Sequence, residues 1–209
     1  ARQSFVPRTW ATRKIAALIA QVRDAQAGGD ISDPASNPKT KELVDEIVRL
    51  SLRWGIMTEY TSFIATEPSV ALNDHATIRR MALDNLAERA VVRAGAASVN
   101  QEANLGGMAA APMVSGTQLY LDKDMKEVEI TTVQMVGDQT FYRRGARWVD
   151  QRVQAKEADP VDETIDVGTA RFAEVLETLR EQNLLGVLAL EGEVEVQMGV
   201  KRVLIRNRG

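Results

Sequence analysis

The chain has 209 residues, with 26 Lys and Arg against 29 Asp and Glu, so its formal net charge at pH 7 is −3. It contains one histidine and no cysteine, which excludes disulfide frameworks, thiol nucleophiles, Cys-ligated metal sites and sites with two histidine ligands. The slightly acidic balance argues against a strongly basic nucleic-acid-binding protein. At 44% hydrophobic and 26% charged residues, the composition is that of an ordinary globular protein.

The first part of the chain is predicted to be helical. Apolar residues at i, i+4, i+7 and i+11 indicate one amphipathic helix over residues 8–27 and another over residues 39–54. The intervening GGDISDPASNP, residues 28–38, has the composition of a loop. Gly55 is expected to end the second helix.

A short strand and a third helix are expected next. Residues 60–66 (YTSFIAT) are rich in aromatic, β-branched and hydroxyl side chains, which favours a strand that returns to a sheet. Asn73 or Asp74 is a suitable N-cap for a helix that runs either to about Arg93 or on to Asn104. No apolar run reaches the ~18 residues of a membrane-spanning helix, so we predict no transmembrane segment.

In the second part of the chain, apolar and polar residues alternate, as they do in strands. Residues 106–116 (GGMAAAPMVSG) carry no charge and are predicted to link residues 1–105, a helical region with one returning strand, to residues 117–209, a small α+β module. In that module we predict an antiparallel meander, a short strand, a helix pair and a terminal hairpin. The ranges are 128–136, 140–143 and 147–153 for the meander, 165–167 for the strand, 169–182 and 184–190 for the helices, and 194–205 for the hairpin. The fold class is therefore α+β with an antiparallel sheet.

Patterns for catalysis and metal binding are not found. There is no G-x-S-x-G turn or P-loop, and His75 follows Asp74 directly at a helix start, a position suited to capping or to the surface. Residues 166–170 (DVGTA) resemble a D-x-S-x-S cation motif but carry Gly168 and Ala170 where two serines are needed. We predict a protein that is not an enzyme, with no catalytic residue, metal site or cofactor in this chain.

A basic cluster beside aromatic residues allows two interpretations. Arg143, Arg144 and Arg147 lie near Trp148, and arginines with exposed aromatic rings can stack on bases or sugars. Strand alternation instead favours Phe141 and Trp148 facing inward with the arginines facing solvent. The basic residues of the last strand, such as Arg202, are likewise expected to face solvent.

Two long segments resemble a known family. VPRTWATRKIAALIAQVR and KELVDEIVRLSLRWGIMTEYTSFIATE resemble the region that follows the von Willebrand factor A domain in VIT/VWA proteins, the inter-alpha-trypsin inhibitor heavy-chain-like group. VGDQTFYRRGARWVD, residues 136–150, is similar to a C-terminal element of the bacterial members. The loop at residues 28–38 is longer than the family's common loop. The matching residues are Pro7, Trp10, Ala11, Lys14, Ile15, Lys41 to Val48, Gly55, Ile56, Thr58 and Tyr60 to Phe63, with Trp54 where the family usually has Tyr.

The resemblance implies a non-enzymatic scaffold or interaction region of an adhesion or surface protein. Such proteins are periplasmic, cell-surface or secreted, and they hold a divalent cation in the A domain, which is not in this chain. The implied partners are the rest of the parent polypeptide or other protein subunits, and not nucleic acid. The expected interaction surface comprises Trp10, Trp54, Tyr60, Phe63, Arg143, Arg144 and Arg147.

Two other functions remain open at this point. The chain could be a self-contained structural subunit of a larger assembly, with its helical part as the oligomerisation surface. It could also be an unrecognised hydrolase, for which Asp74 and His75 are the best candidate site.

Overall fold

The computed structural model describes residues 5–27, 37–58, 60–66, 72, 74–91, 103–104, 106, 118–121, 126–153 and 160–206. The helices are α1 (Phe5–Ala27), α2 (Pro38–Trp54), α3 (Phe63–Thr66), α4 (His75–Val91) and α5 (Ala170–Glu181), with a 3-10 helix at Leu185–Ala189. The strands are β1 (Gln118–Leu121), β2 (Glu127–Ile130), β3 (Val133–Val136), β4 (Gln139–Arg144), β5 (Arg147–Asp150), β6 (Glu163–Asp166), β7 (Glu193–Met198) and β8 (Lys201–Arg206). The predicted α+β class is confirmed.

Helices α1, α2 and α4 form a layer on one face of the sheet. Helix α2 begins at Asn37, whose Oδ1 accepts hydrogen bonds from the backbone N–H groups of Lys39 and Thr40. The first core joins apolar side chains of α1 to α4 with Ile130, Val133 and Tyr142 of β2, β3 and β4. The helices and the start of the strand region therefore share one core.

A six-stranded sheet has the order β3-β4-β5-β7-β8-β6, and β1 and β2 form a separate antiparallel pair. The meander β3-β4-β5 and the hairpin β7-β8 are antiparallel as predicted. The prediction of an antiparallel sheet is wrong at two places, because β5 pairs with β7 and β6 pairs with β8 in parallel. The chain leaves β6, passes through α5 and the 3-10 helix to β7, and then inserts β8 between β6 and β7.

The opposite face of the sheet carries a second core. Phe141, Trp148, Val194 and Ile205 point from the strands toward α5 and the 3-10 helix. Phe141 and Trp148 are buried there, as strand alternation predicted. The sheet is thus covered by the helical layer on one face and by the α5 segment on the other.

The strand predicted at residues 60–66 is not formed. Residues 60–62 make a turn and α3 follows. The Thr61 hydroxyl accepts a hydrogen bond from the Thr58 N–H at 2.9 Å, and the Thr58 carbonyl accepts from the N–H groups of Thr61 and Ser62. Threonine hydroxyls compete with strand ladders for backbone groups, and here the local turn holds the chain away from the sheet.

Other predicted boundaries differ in smaller ways. The single strand expected at residues 128–136 is divided into β2, which pairs with β1, and β3, which pairs with β4. Asp74 is the N-cap of α4, since its Oδ1 accepts a hydrogen bond from the Thr77 N–H. Apart from Asn37, Pro38 and Gly106, the predicted loop at 28–38 and the predicted linker at 106–116 lie outside the described residues.

Candidate functional site

The two tryptophans of the expected interaction surface differ in exposure. Trp10 lies on the outer side of α1 and is 56% exposed. Trp54 is half-buried at the end of α2, where the Arg53 guanidinium lies 5.3 Å from the centre of its ring. Trp10 is therefore available for contact, whereas Trp54 already has a partner within the chain.

Tyr60 and Phe63 are buried in the first core. They were expected on a strand that returns to a sheet, but the turn and α3 place both rings in this core. Neither ring lies on an exposed surface.

The three arginines of the expected surface do not lie together on one exposed face. Arg143 is exposed, with its guanidinium 5.8 Å from the centre of the Trp148 ring. Arg144 is only 6% exposed, and its Nη2 donates to the Ile64 carbonyl at 2.9 Å. The expectation that the arginines face solvent is wrong for Arg144, because it shares with Tyr142 the face of β4 that the helical layer covers.

Polar contacts fix the end of α2 to strand β4. The Tyr142 hydroxyl donates to the carbonyls of Leu52 and Ser51, at 3.0 and 3.3 Å, and the Thr140 hydroxyl donates to the Arg53 carbonyl at 2.9 Å. The bonds to Leu52 and Arg53 satisfy carbonyls in the last turn of α2, where a helix end leaves carbonyls without partners. The Ser51 carbonyl also accepts the backbone N–H groups of Gly55 and Ile56. Burial raises the pKa of Tyr142, so the phenol stays protonated and keeps its donor.

Gly55 allows this close approach of helix and sheet. Its φ of +58° is the left-handed conformation that closes α2. A Cβ placed on it would lie 2.7 Å from Cγ2 of Thr140 and 2.9 Å from Cγ1 of Val133. The sequence predicted that Gly55 ends the helix. It did not indicate that Thr140 and Tyr142 would bond to the end of that helix.

A second polar group lies on the helical-layer face of the sheet, on β5, β7 and β8. Glu195 is buried and accepts two hydrogen bonds from Arg202, at 2.9 and 2.7 Å, and one from Arg147 at 3.1 Å. Arg147 also bonds Glu193, and Arg202 donates to the Pro160 carbonyl. The expectation that Arg202 faces solvent is wrong, because Glu195 on the neighbouring strand pairs with it. The charges in this group compensate one another.

A small apolar pocket opens between α5, the 3-10 helix and the sheet. Its volume is about 160 Å³, and Phe172, Val187, Val194 and Ile205 are among its lining residues. Its walls carry few polar atoms, so it lacks the convergent polar groups that orient a substrate.

The described residues do not assemble an evident catalytic or metal site. His75 is exposed at the start of α4. Asp74 is the N-cap of α4, because its Oδ1 accepts a hydrogen bond from the Thr77 N–H. This hydrogen bond lowers the pKa of Asp74. Within the described ranges, no three His, Asp or Glu side chains are grouped so that they could hold a metal ion. Thr169, in the DVGTA segment, caps α5.

Among the residues that the structure describes, no helix is long and apolar enough to cross a membrane.

Comparison of the chain with protein-family models, curated proteins and solved structures gave no match.

Proposed function

We propose that this chain is a non-enzymatic scaffold and interaction region of a VIT/VWA-type adhesion or surface protein. Its partners are the rest of the parent polypeptide or other protein subunits, and its location is periplasmic, cell-surface or secreted. The resemblance over α1 and α2 leads to this proposal. The burial of the large apolar side chains among the resembling residues supports it, since all of them pack in or against the first core except Trp10.

Most of the resembling residues have packing roles that explain their presence. Ala11 and Ile15 are buried on the inner side of α1. Gly55 permits the contact with β4. In the turn that follows, the Thr61 hydroxyl is hydrogen-bonded to the backbone N–H and to the hydroxyl of Thr58. Such residues build a rigid support, which suits a scaffold that positions a neighbouring domain.

Trp10 is the observation that carries the proposal. Packing inside the described part of the chain leaves 56% of its surface exposed. A tryptophan contributes a large area to an interface, and tryptophans are enriched among the residues that dominate binding energy. Arg13 and Lys14 are exposed on the following turn of α1, so a complementary partner has an apolar recess for the indole and acidic residues beside it.

Thiol labelling tests this contact. The chain has no cysteine, so Lys14→Cys introduces a single thiol beside an intact Trp10. We expect a maleimide to label it rapidly in the isolated chain and at least about tenfold more slowly in the parent polypeptide, with other cysteines replaced there. Such a ratio corresponds to about 1.4 kcal/mol of protection.

Val200→Cys is the matched control, because Val200 is 94% exposed in the turn between β7 and β8. It should be labelled equally fast in both proteins. Equal labelling of Lys14→Cys in both proteins would contradict the proposed contact. Protection already in the isolated chain, with a doubled mass in sedimentation, would favour the alternative of a self-contained assembly subunit.

A further inference from the structure

Arg8 occupies a position that the helical repeat assigns to an apolar side chain. The buried stripe of α1 includes Ala11, Ile15, Ile19 and Val22, and Arg8 lies one turn before it on the same side. Arg8 is only 8% exposed. A guanidinium therefore stands at the end of an otherwise apolar stripe.

No anionic partner for Arg8 is found in the described part of the chain. The ion pairs among the described residues do not include it, and its Nε is buried without a hydrogen-bond acceptor. Arginine keeps its charge at all pH values at which proteins fold. A buried charge without a partner is strongly destabilising, so this position calls for an anion.

Two features add positive charge near Arg8. The N-terminal end of a helix carries partial positive charge, and the first turn of α1 contains no acidic residue. Arg8 and Arg144 both lie close enough to Tyr142 to favour its ionised form, and the Arg144 guanidinium lies 5.6 Å from the centre of the Tyr142 ring. The Tyr142 phenol itself stays protonated and donates to the Leu52 carbonyl, so it supplies no negative charge to Arg8.

We propose that Arg8 is the binding residue for a carboxylate that a ligand or a partner polypeptide inserts at the N-terminal end of α1. A carboxylate is planar and pairs with a guanidinium through two parallel hydrogen bonds. Because only 8% of Arg8 is exposed, a small planar group needs less room to reach the guanidinium than a tetrahedral phosphate does. Trp10 is two residues further, about 200° around the helix, so this site is separate from the contact proposed above.

Thermal unfolding of the isolated chain in acetate tests the site. Wild type, Arg8→Met and Arg13→Met are compared at matched ionic strength in sodium acetate and in sodium chloride. Arg13 is the control because it is exposed on the same helix. We expect acetate to raise the melting temperature of wild type and Arg13→Met above the chloride values, as a ligand of the folded state does. Arg8→Met should lose this response and, without acetate, melt no lower than wild type.

Two further ligands identify the chemistry and the source. Inorganic phosphate should stabilise the chain less than acetate at equal ionic strength. A blocked Ala-Glu-Ala peptide is compared with acetate and with its Ala-Gln-Ala counterpart. A stronger effect of the Glu peptide than of acetate points to a polypeptide source, and an equal effect to a free carboxylate; both support the site.

Several results would overturn the proposal. These are no acetate-specific stabilisation of wild type, an equal response in Arg8→Met, or a large loss of stability in Arg8→Met without acetate, which would show that Arg8 is paired within the chain. If Arg8→Met does not fold, the Nε–H resonance of Arg8 in the nitrogen-15 spectrum of wild type gives the answer. It must shift with acetate and not with chloride.

Discussion

Replacing Gly55 by alanine tests how closely the helical layer contacts the sheet. Alanine at a φ of +58° pays the left-handed penalty of about 1–2 kcal/mol. Its Cβ would also lie 2.7 Å from Thr140 and 2.9 Å from Val133, and overpacking of this kind costs about 1–3 kcal/mol more. We therefore expect Gly55→Ala to lower the free energy of unfolding by about 2–5 kcal/mol, measured as a reduced urea midpoint with an unchanged m-value.

Gly145→Ala separates the two contributions. Gly145 has a φ of +60°, and a Cβ built on it meets nothing within 4 Å, so only the conformational penalty applies. The difference between the two variants, about 1–3 kcal/mol, measures the crowding between α2 and β3–β4. Equal losses of stability in Gly55→Ala and Gly145→Ala would refute the close contact of helix and sheet.

Three further substitutions examine the polar contacts. Tyr142→Phe removes the hydroxyl that donates to the last carbonyls of α2 and should lower the free energy of unfolding by about 1–2 kcal/mol in urea titration; no change would mean that water replaces the bond. Glu195→Gln removes the buried carboxylate that pairs with Arg202 and should cost about 3 kcal/mol by the same measurement, whereas a gain in stability would contradict the pairing. The hydrogen bond from Thr77 lowers the pKa of Asp74, so its ionised cap stabilises the fold at neutral pH and this contribution is lost as pH falls through that lowered pKa. Asp74→Asn keeps the acceptor but not the charge, so wild type should melt higher at neutral pH and the two should converge in acid; a constant difference would contradict the assignment.

Local signals explain which parts of the fold could be predicted. The apolar stripes of α1 and α2, the cap at Asp74 and the terminal hairpin each depend on residues a few positions apart, and these features were found as predicted. The segment at residues 60–66 misled the prediction because its composition favours a strand. The hydroxyls of Thr58 and Thr61 decided the outcome through local hydrogen bonds.

Long-range partners explain the other errors. The pairing of β8 with β6 joins segments separated by the α5 connection, and no local pattern specifies it. Alternation correctly placed Phe141 inward, but it could not show that the helical layer covers the other face and buries Arg144. A basic side chain is expected at the surface unless its partner is known, and the partners of Arg144 and Arg202 lie 80 and 7 residues away.

The intact mass of the native protein, captured from its source with an antibody against this chain, tests the scaffold proposal most directly. We predict a polypeptide well above 23.0 kDa, with peptides from an upstream A domain that contains a D-x-S-x-S motif. A native mass of 23.0 kDa, together with a start codon near Ala1 in the gene, would contradict the proposal.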